Sequence, residues 1–345
     1  MTGIALVGIG NWGANWLRTL ATLPEASLRW VCDLNADLLA KAKTDYPDVR
    51  PTSNLNDLID DPETLGIVIA SNAPTHFALA KRALEGGKDV MVEKPMALTT
   101  ADAAELVRIA DDNDRMLMVG HLLEYHPAIQ SLRKLIDSSE LGEIRRIESR
   151  RSNHGVLRTD ENAWWSLAPH DLSMAVRLMG DWPISVACEG QNIVQSHIAD
   201  VVGGTLRFPG GRMARIDVSW HDPAKVRELK IYGTKKWAVF NDMLPWDRKV
   251  IVYDRGFDVD SSGPKRRITA RRGAEIALPL PNTEPLIAEA RHFVECIRTR
   301  NRPVSDGRSG IGIVAILEAG QASLETGREV VLANPESTIG LRKAG

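Results

Sequence analysis

Three clusters in the chain combine residue types and spacings that suit chemistry. The first is Gly8-Ile9-Gly10-Asn11-Trp12-Gly13, a G-x-G-x-x-G string that follows a short apolar run and opens a helical pattern. In such a turn the first glycine permits a tight bend and the second lets backbone N–H groups approach a pyrophosphate. The third allows close helix–strand packing. Asp33 stands 20 residues beyond Gly13, at the end of the second apolar run. A carboxylate there accepts hydrogen bonds from both ribose hydroxyls and repels a 2′-phosphate. No Arg or Lys adjoins Asp33, so the pattern favours NAD over NADP. The alternative is a structural turn with Asp33 capping the next helix.

The second cluster is Glu93-Lys94-Pro95, which closes the apolar run of residues 89–92. A lysine at the carboxyl end of a strand faces the crevice where open α/β sheets bind ligands. Lys94 can hydrogen-bond a substrate hydroxyl there and stabilise the alkoxide charge that develops as hydride leaves. Glu93 can orient Lys94 or touch the nicotinamide ribose; the bland alternative is a solvated charged loop. Ser71-Asn72-Ala73-Pro74-Thr75-His76 follows the run of residues 67–70 and faces the same crevice. Ser71 and Asn72 are either cofactor contacts or turn residues, Thr75 is a candidate helix cap, and His76 reads as a hydrogen-bonded contact rather than a catalyst.

The third cluster runs from Arg158 through Asn162, Trp164, Trp165, Ser166 and His170 to Asp171. Paired tryptophans beside polar groups suit a sugar, and equally suit a core. His170, after Pro169, is the best general-base candidate because imidazole titrates near neutrality. Asp171 either orients His170 or starts a helix that continues through Leu178. No residues have metal-ligand spacing, so no metal is expected.

The hydropathy pattern shows which elements hold these groups. Residues 4–7, 28–32, 67–70, 89–92 and 116–119 are short apolar runs, with helical patterns between them, among them residues 76–85 and 100–111. Such alternation predicts parallel βαβ units, with each strand buried on both faces. Beyond residues 120–127 the strands lengthen and the turns shorten. Residues 205–208 and 213–220 flank Pro209-Gly210-Gly211, and residues 226–232 and 236–240 flank Gly233-Thr234. Helical patterns recur at residues 161–179, 285–299 and 310–326, and residues 254–273 read as a charged surface excursion. The expected architecture is an α/β Rossmann domain over residues 1–123, plus an α+β domain with an open, mainly antiparallel sheet over 124–345. A C-terminal helix is free to return to the first domain.

Composition bounds the rest. Of 345 residues 43% are apolar and 26% charged, values of a globular protein, and Lys+Arg 43 against Asp+Glu 45 gives a net charge of −2. No basic excess argues for nucleic acid or a membrane surface as partner. Cys32, Cys188 and Cys296 are widely spaced, which favours a reducing compartment. With no signal-peptide pattern and no apolar run long enough for a bilayer, the expected location is cytoplasmic.

Together these residues resemble the Gfo/Idh/MocA family of NAD(P)-dependent oxidoreductases over essentially the whole chain. The resemblance is carried by the glycine string, Asp33, the segment from Asn72 to His76, Glu93-Lys94-Pro95 and the segment from Ser166 to Asp171. The tail adds Gly307, Gly310, Ala319, Ser323 and Gly327. It implies Lys94 and His170 as the catalytic pair: an amine from the nucleotide domain and an imidazole from the sheet domain, working at one substrate carbon. Cofactor contacts are expected from Gly8, Gly10, Asn11, Trp12, Gly13, Asp33, Ser71, Asn72, Pro74, His76, Glu93 and Lys94. Substrate contacts are expected from Lys94, Arg158, Asn162, Trp164, Trp165, His170 and Asp171.

Two departures bear on function. Many members place an aspartate four residues before the histidine, where this chain has Ser166. Many carry an Asn-Arg-Arg type segment where this chain reads Gly120-His121-Leu122-Leu123-Glu124-Tyr125-His126-Pro127. That variant looks like the branch acting on nucleotide sugars, including UDP-N-acetylglucosaminuronate 3-dehydrogenases. Three readings follow: an NAD-dependent dehydrogenase oxidising C3 of a nucleotide-linked hexuronate, a free-sugar or inositol dehydrogenase, and a non-catalytic cofactor-binding regulatory protein, which Ser166 motivates. A homodimer or homotetramer is expected, because an open apolar sheet face favours a partner.

Overall fold

The computed structural model describes residues 1–155, 157–260, 262 and 266–333. They divide into two compact units, Met1–Tyr125 with Thr283–Glu318, and His126–Asn282 with residues 319–333.

The first unit is built on parallel strands β1 (Thr2–Val7), β2 (Ala26–Cys32), β3 (Arg50–Thr52), β4 (Gly66–Ile69), β5 (Asp89–Glu93) and β6 (Leu117–Gly120). Their order is β3-β2-β1-β4-β5-β6, so the winding reverses between β1 and β4, the doubly wound arrangement of dinucleotide-binding domains. Between them lie α1 (Gly13–Thr22), α2 (Ala36–Asp45), α3 (Leu55–Asp60), α4 (Ala73–Glu85) and α5 (Thr100–Asp112). Successive strand residues take opposite faces. Ala5, Val7, Ile67, Ile69, Val90 and Val92 share one core layer with Ala80, Leu84 and Leu106. Ile4, Leu6, Val68, Met91 and Met118 share the other with Trp16 and Leu20. Burial on both faces is why these strands read as unbroken apolar runs. β3 escapes that signature: it is the edge sequence Arg50-Pro51-Thr52, and none of its residues is buried.

The second unit contains α6 (Pro127–Asp137), β7 (Ile144–His154), α7 (Ala163–Met179), β8 (Ser185–Gln191), β9 (Val201–Arg207), β10 (Met213–Ser219), β11 (His221–Gly233), β12 (Trp237–Asn241), β13 (Val250–Asp260) and β14 (Arg267–Ala277). The chain then forms α8 (Pro285–Thr299), α9 (Gly307–Thr326) and β15 (Val330–Val331). The second sheet runs β14-β13-β12-β11-β7-β10-β9-β8-β15. Only β7 and β10 pair in parallel; the other pairings are antiparallel, as the short turns predict. The surface excursion expected at residues 254–273 is regular rather than a loop: β13 and β14 form a long, largely exposed hairpin there. Its apolar residues Phe257, Val259 and Ile268 are exposed, so the segment lacks the half-buried alternation that marks a strand. α8 belongs to the first unit, where Leu286, Ala290 and Phe293 join the layer containing Trp16. Among the described residues no helix is long and apolar enough to cross a membrane.

Candidate active site

At the carboxyl ends of the first sheet, each of the three motif glycines has a different constraint. Gly8 adopts φ +83°, and a Cβ there would lie 2.7 Å from the Ser71 backbone nitrogen. A Cβ on Gly13 would collide with the Gly8 carbonyl oxygen, so α1 approaches β1 only through glycine. At Gly10 a Cβ would meet nothing within 4 Å; the backbone there is open. No side chain caps α1, whose N-terminal amides favour an anion. Asp33 closes the arrangement: Oδ2 accepts from the Ile9 N–H at 2.8 Å and Oδ1 from the Asn35 N–H at 2.9 Å. Asn35, not Asp33, caps α2, accepting from the Asp37 and Leu38 amides. An open glycine backbone, an uncapped helix start and a carboxylate ending β2 fit a dinucleotide. Asp33→Ala is therefore expected to raise the Kd for NAD about 10- to 100-fold and that for NADP less, because the ribose acceptor and the repulsion of a 2′-phosphate vanish together. Fluorescence titration with both cofactors checks this, and equal losses would count against the assignment.

The turns after β4 and β5 are tied together. α4 begins at Ala73, earlier than the 76–85 pattern predicts, because Pro74 fits the first helical turn, where its missing N–H costs nothing. Thr75 is therefore inside the helix and not its cap; its hydroxyl donates to the Asn72 carbonyl at 2.8 Å and lies 2.7 Å from the Ser71 hydroxyl. His76 is buried, with Nδ1 2.8 Å from the Pro95 carbonyl oxygen and Nε2 3.0 Å from that of Ser71. The Lys94–Pro95 peptide is cis. Glu93 is buried, and its Oε1 accepts from the indole nitrogens of Trp12 at 2.5 Å and Trp16 at 2.8 Å. Its Oε2 accepts from the Lys94 N–H at 3.3 Å. Glu93 thus joins the glycine turn to the strand end that carries Lys94. Asn11 stands exposed on the same turn.

Behind Glu93 lies a carboxyl group that the residue pattern does not announce. Glu289 of α8 is fully buried, and neither carboxyl oxygen has a hydrogen-bond partner among the described residues. Burial, reinforced by the charges of Glu93 and Glu124, raises its pKa well above the usual carboxylate range. An acid whose folded pKa is raised holds its proton when folded and sheds it when unfolded. Stability therefore falls as pH rises from the unfolded carboxyl range toward the folded value, by about 1.4 kcal/mol per pH unit at most. Glu289→Gln is expected to remove that slope, so its advantage in Tm over the natural protein grows as pH rises; parallel Tm curves would contradict it.

In the second unit, α7 presents the remaining candidates. Asn162 caps it, accepting from the Trp165 N–H at 3.1 Å and donating to Gln321 at 2.7 Å. Arg158 is exposed and pairs with Glu161 at 3.1 Å. Trp165 and His170 are half-buried, and Ser166 is buried. Pro169 has no N–H to give the Trp165 carbonyl, so the helical ladder is interrupted just before His170. Trp164 is fully buried, close enough to Gly204 and Gly320 that a Cβ on either would strike its indole; of its two possible roles it takes that of core anchor. Asp171 is also buried, and its carboxylate accepts from Ser149 Oγ and Arg151 Nε, each at 2.5 Å. It sits inside α7 and ties the helix to β7, so the expectation that it starts a helix is corrected.

The description of an oxidoreductase family with an NAD-binding Rossmann fold matches residues 2–121, and that family's C-terminal domain matches residues 129–239. The chain belongs to the Gfo/Idh/MocA oxidoreductase family. Its first unit is accordingly an NAD-binding Rossmann domain, and NAD is its cofactor. The chain is 26% identical over 315 residues to UDP-N-acetylglucosamine 3-dehydrogenase of Acidithiobacillus ferrooxidans, covering 91% of this chain and 94% of that one. It is 23% identical over 352 residues to myo-inositol 2-dehydrogenase of Thermotoga maritima, covering 98% and 99%. The solved structure of the Acidithiobacillus enzyme matches with a TM-score of 0.81 at 24% identity, over 94% of this chain and 97% of that one, and so has the same fold.

Two residues outside the expected set join this Gfo/Idh/MocA site. Trp16 reads as a core residue of α1, yet its indole nitrogen holds Glu93. His121 follows β6, and its imidazole is buried; burial and then the Lys94 charge push its pKa down to about 3. The sequence signal was its place directly after an apolar run, the same signal that singles out Lys94.

Proposed function

We propose that this protein is an NAD-dependent dehydrogenase of a nucleotide-linked sugar, oxidising the secondary alcohol at C3 of a hexuronate. The observation that carries the reading is the placement of Lys94: it directly follows β5, its N–H is held by Glu93, and Glu93 is held in turn by Trp12 of the glycine turn. Those bonds hold the Lys94 backbone next to the glycine turn, which supports a role for its ammonium at an alcohol beside the cofactor.

NAD, when bound, supplies the acceptor for the hydride leaving the carbinol carbon. Lys94 donates a hydrogen bond to the alcohol oxygen and stabilises its growing negative charge. His170 accepts the hydroxyl proton, leaving a ketone. Asp171 contributes by holding α7 against β7 rather than by sharing that proton, since its carboxylate is engaged by Arg151 and Ser149. Arg158, exposed ahead of α7, offers a guanidinium to a uronate carboxylate in exchange for Glu161.

The nucleotide-sugar reading draws support from the Acidithiobacillus relative, whose name states both a UDP-linked sugar and position 3. The Thermotoga relative, named for myo-inositol, favours a second reading as a polyol dehydrogenase. NADH formation separates them when UDP-N-acetylglucosaminuronate, UDP-N-acetylglucosamine, myo-inositol and glucose are offered in parallel. Turnover confined to the last two would sink the nucleotide-sugar reading, and NAD binding without any turnover would sink both.

A further inference from the structure

His121 stands one residue beyond β6 and Lys94 one residue beyond β5; the strands pair in parallel with Glu93 opposite Gly120. Register therefore sets the two side by side at the carboxyl edge of the sheet, on strands about 4.8 Å apart. The His121 imidazole is 2% exposed, and neither Nδ1 nor Nε2 has a hydrogen-bond partner among the described residues. Its backbone, by contrast, is fixed: the N–H donates to the Val119 carbonyl at 2.7 Å, and the carbonyl accepts from the Glu124 N–H at 2.9 Å.

A buried polar atom left without a partner costs about 1–3 kcal/mol, so its retention at the edge of a ligand crevice calls for an explanation, and a bound ligand that completes it supplies one. The chemistry of the missing partner follows from the ring's charge state. Burial first, and the Lys94 ammonium second, hold the imidazole neutral, with one N–H donor and one lone pair. The Lys94 charge favours the tautomer whose lone pair lies nearer the ammonium, which leaves the N–H as the donor to be used. A neutral donor beside an existing positive charge suits an uncharged carbonyl oxygen and also tolerates a cationic ring. In this strand order the half containing β4, β5 and β6 serves the nicotinamide end of a dinucleotide. The oxidised nicotinamide ring is cationic and carries a carboxamide.

We propose that His121 holds the nicotinamide of NAD, donating its imidazole N–H to the carboxamide carbonyl oxygen. Lys94 and His121 then divide one strand edge, the ammonium for the alcohol and the imidazole for the cofactor ring.

The test compares Kd values for NAD, for its thionicotinamide analogue and for ADP-ribose, which lacks the nicotinamide. Natural protein is expected to bind NAD more tightly than the thio analogue, because sulfur accepts a hydrogen bond poorly. His121→Phe is expected to weaken NAD about tenfold, to leave ADP-ribose unchanged and to erase the preference over the thio analogue. His121→Gln, which keeps an N–H donor, is expected to recover part of the loss. Equal affinity of the natural protein for NAD and the thio analogue overturns the proposal without any variant. So does an equal effect of His121→Phe on NAD and ADP-ribose, or a raised KM for the alcohol with NAD affinity unchanged. The Kd comparisons do not depend on which sugar is oxidised, so their outcome is separate from that of the nucleotide-sugar reading.

Discussion

Lys94→Met is expected to lower kcat by about 10²- to 10⁴-fold while changing the Kd for NAD by less than tenfold. Methionine keeps the length of the side chain and removes the ammonium. The glycine turn, Asp33 and Glu93 remain, and Glu93 still accepts from Trp12 and Trp16. What disappears is the charge that meets the alcohol oxygen as it becomes anionic, a contribution made in the transition state and only weakly in the ground state. The loss should therefore fall on kcat more than on KM. A second readout is independent of substrate. Lys94 is the smaller of the two causes that depress the His121 pKa, burial being the larger. In Lys94→Met the His121 midpoint should rise from about 3 and stay below the ordinary histidine value, as followed by NMR. Retained turnover, or an unmoved His121 midpoint, would remove Lys94 from the position assigned to it.

What could be read from the sequence follows from which interactions are local. β1, β4 and β5 were legible because both faces are buried, which leaves an unbroken apolar run. The glycine turn and Lys94 were legible for a related reason: each directly follows such a run, so strand geometry alone places it at the carboxyl edge. β3 was not legible, being three exposed or half-exposed residues on an edge. Nor was the hairpin of β13 and β14, because its one alternating stretch, Phe257-Asp258-Val259-Asp260, is short and set among charged residues, and its apolar residues are exposed. At the site, the missing information was tertiary. The partners of Glu93 come from 77 and 81 residues away, and the carboxyl of Glu289 reaches the same layer from α8. Asp171 next to His170 invites a catalytic dyad, yet neighbours on a helix point in different directions, and Asp171 points to Arg151. The Trp164-Trp165 pair divides in the same way: one ring is buried and the other half-buried.

That division gives Trp164→Ala the largest expected effect on stability. A fully buried tryptophan truncated to alanine costs about 3–5 kcal/mol, through lost transfer free energy and the cavity left behind. The site has little means of collapsing into that cavity, because the indole is flanked by glycines. A Cβ on Gly204 would lie 2.6 Å from Trp164 Cη2, and one on Gly320 would strike the pyrrole edge. No side chain at either position can move inward to refill the space. The expected fall in Tm is about 10 °C for a unit of this size, read by calorimetry. The same geometry predicts a coupling. Gly204→Ala is destabilising alone, since the added methyl meets the ring, and should cost far less in the Trp164→Ala background, where it enters the vacated volume. Additive losses in the double variant would show that Gly204 is retained for a reason other than the indole. Because α7 carries both Trp164 and His170, Trp164→Ala should also depress kcat, and restoring bulk through Gly204→Ala should return part of it.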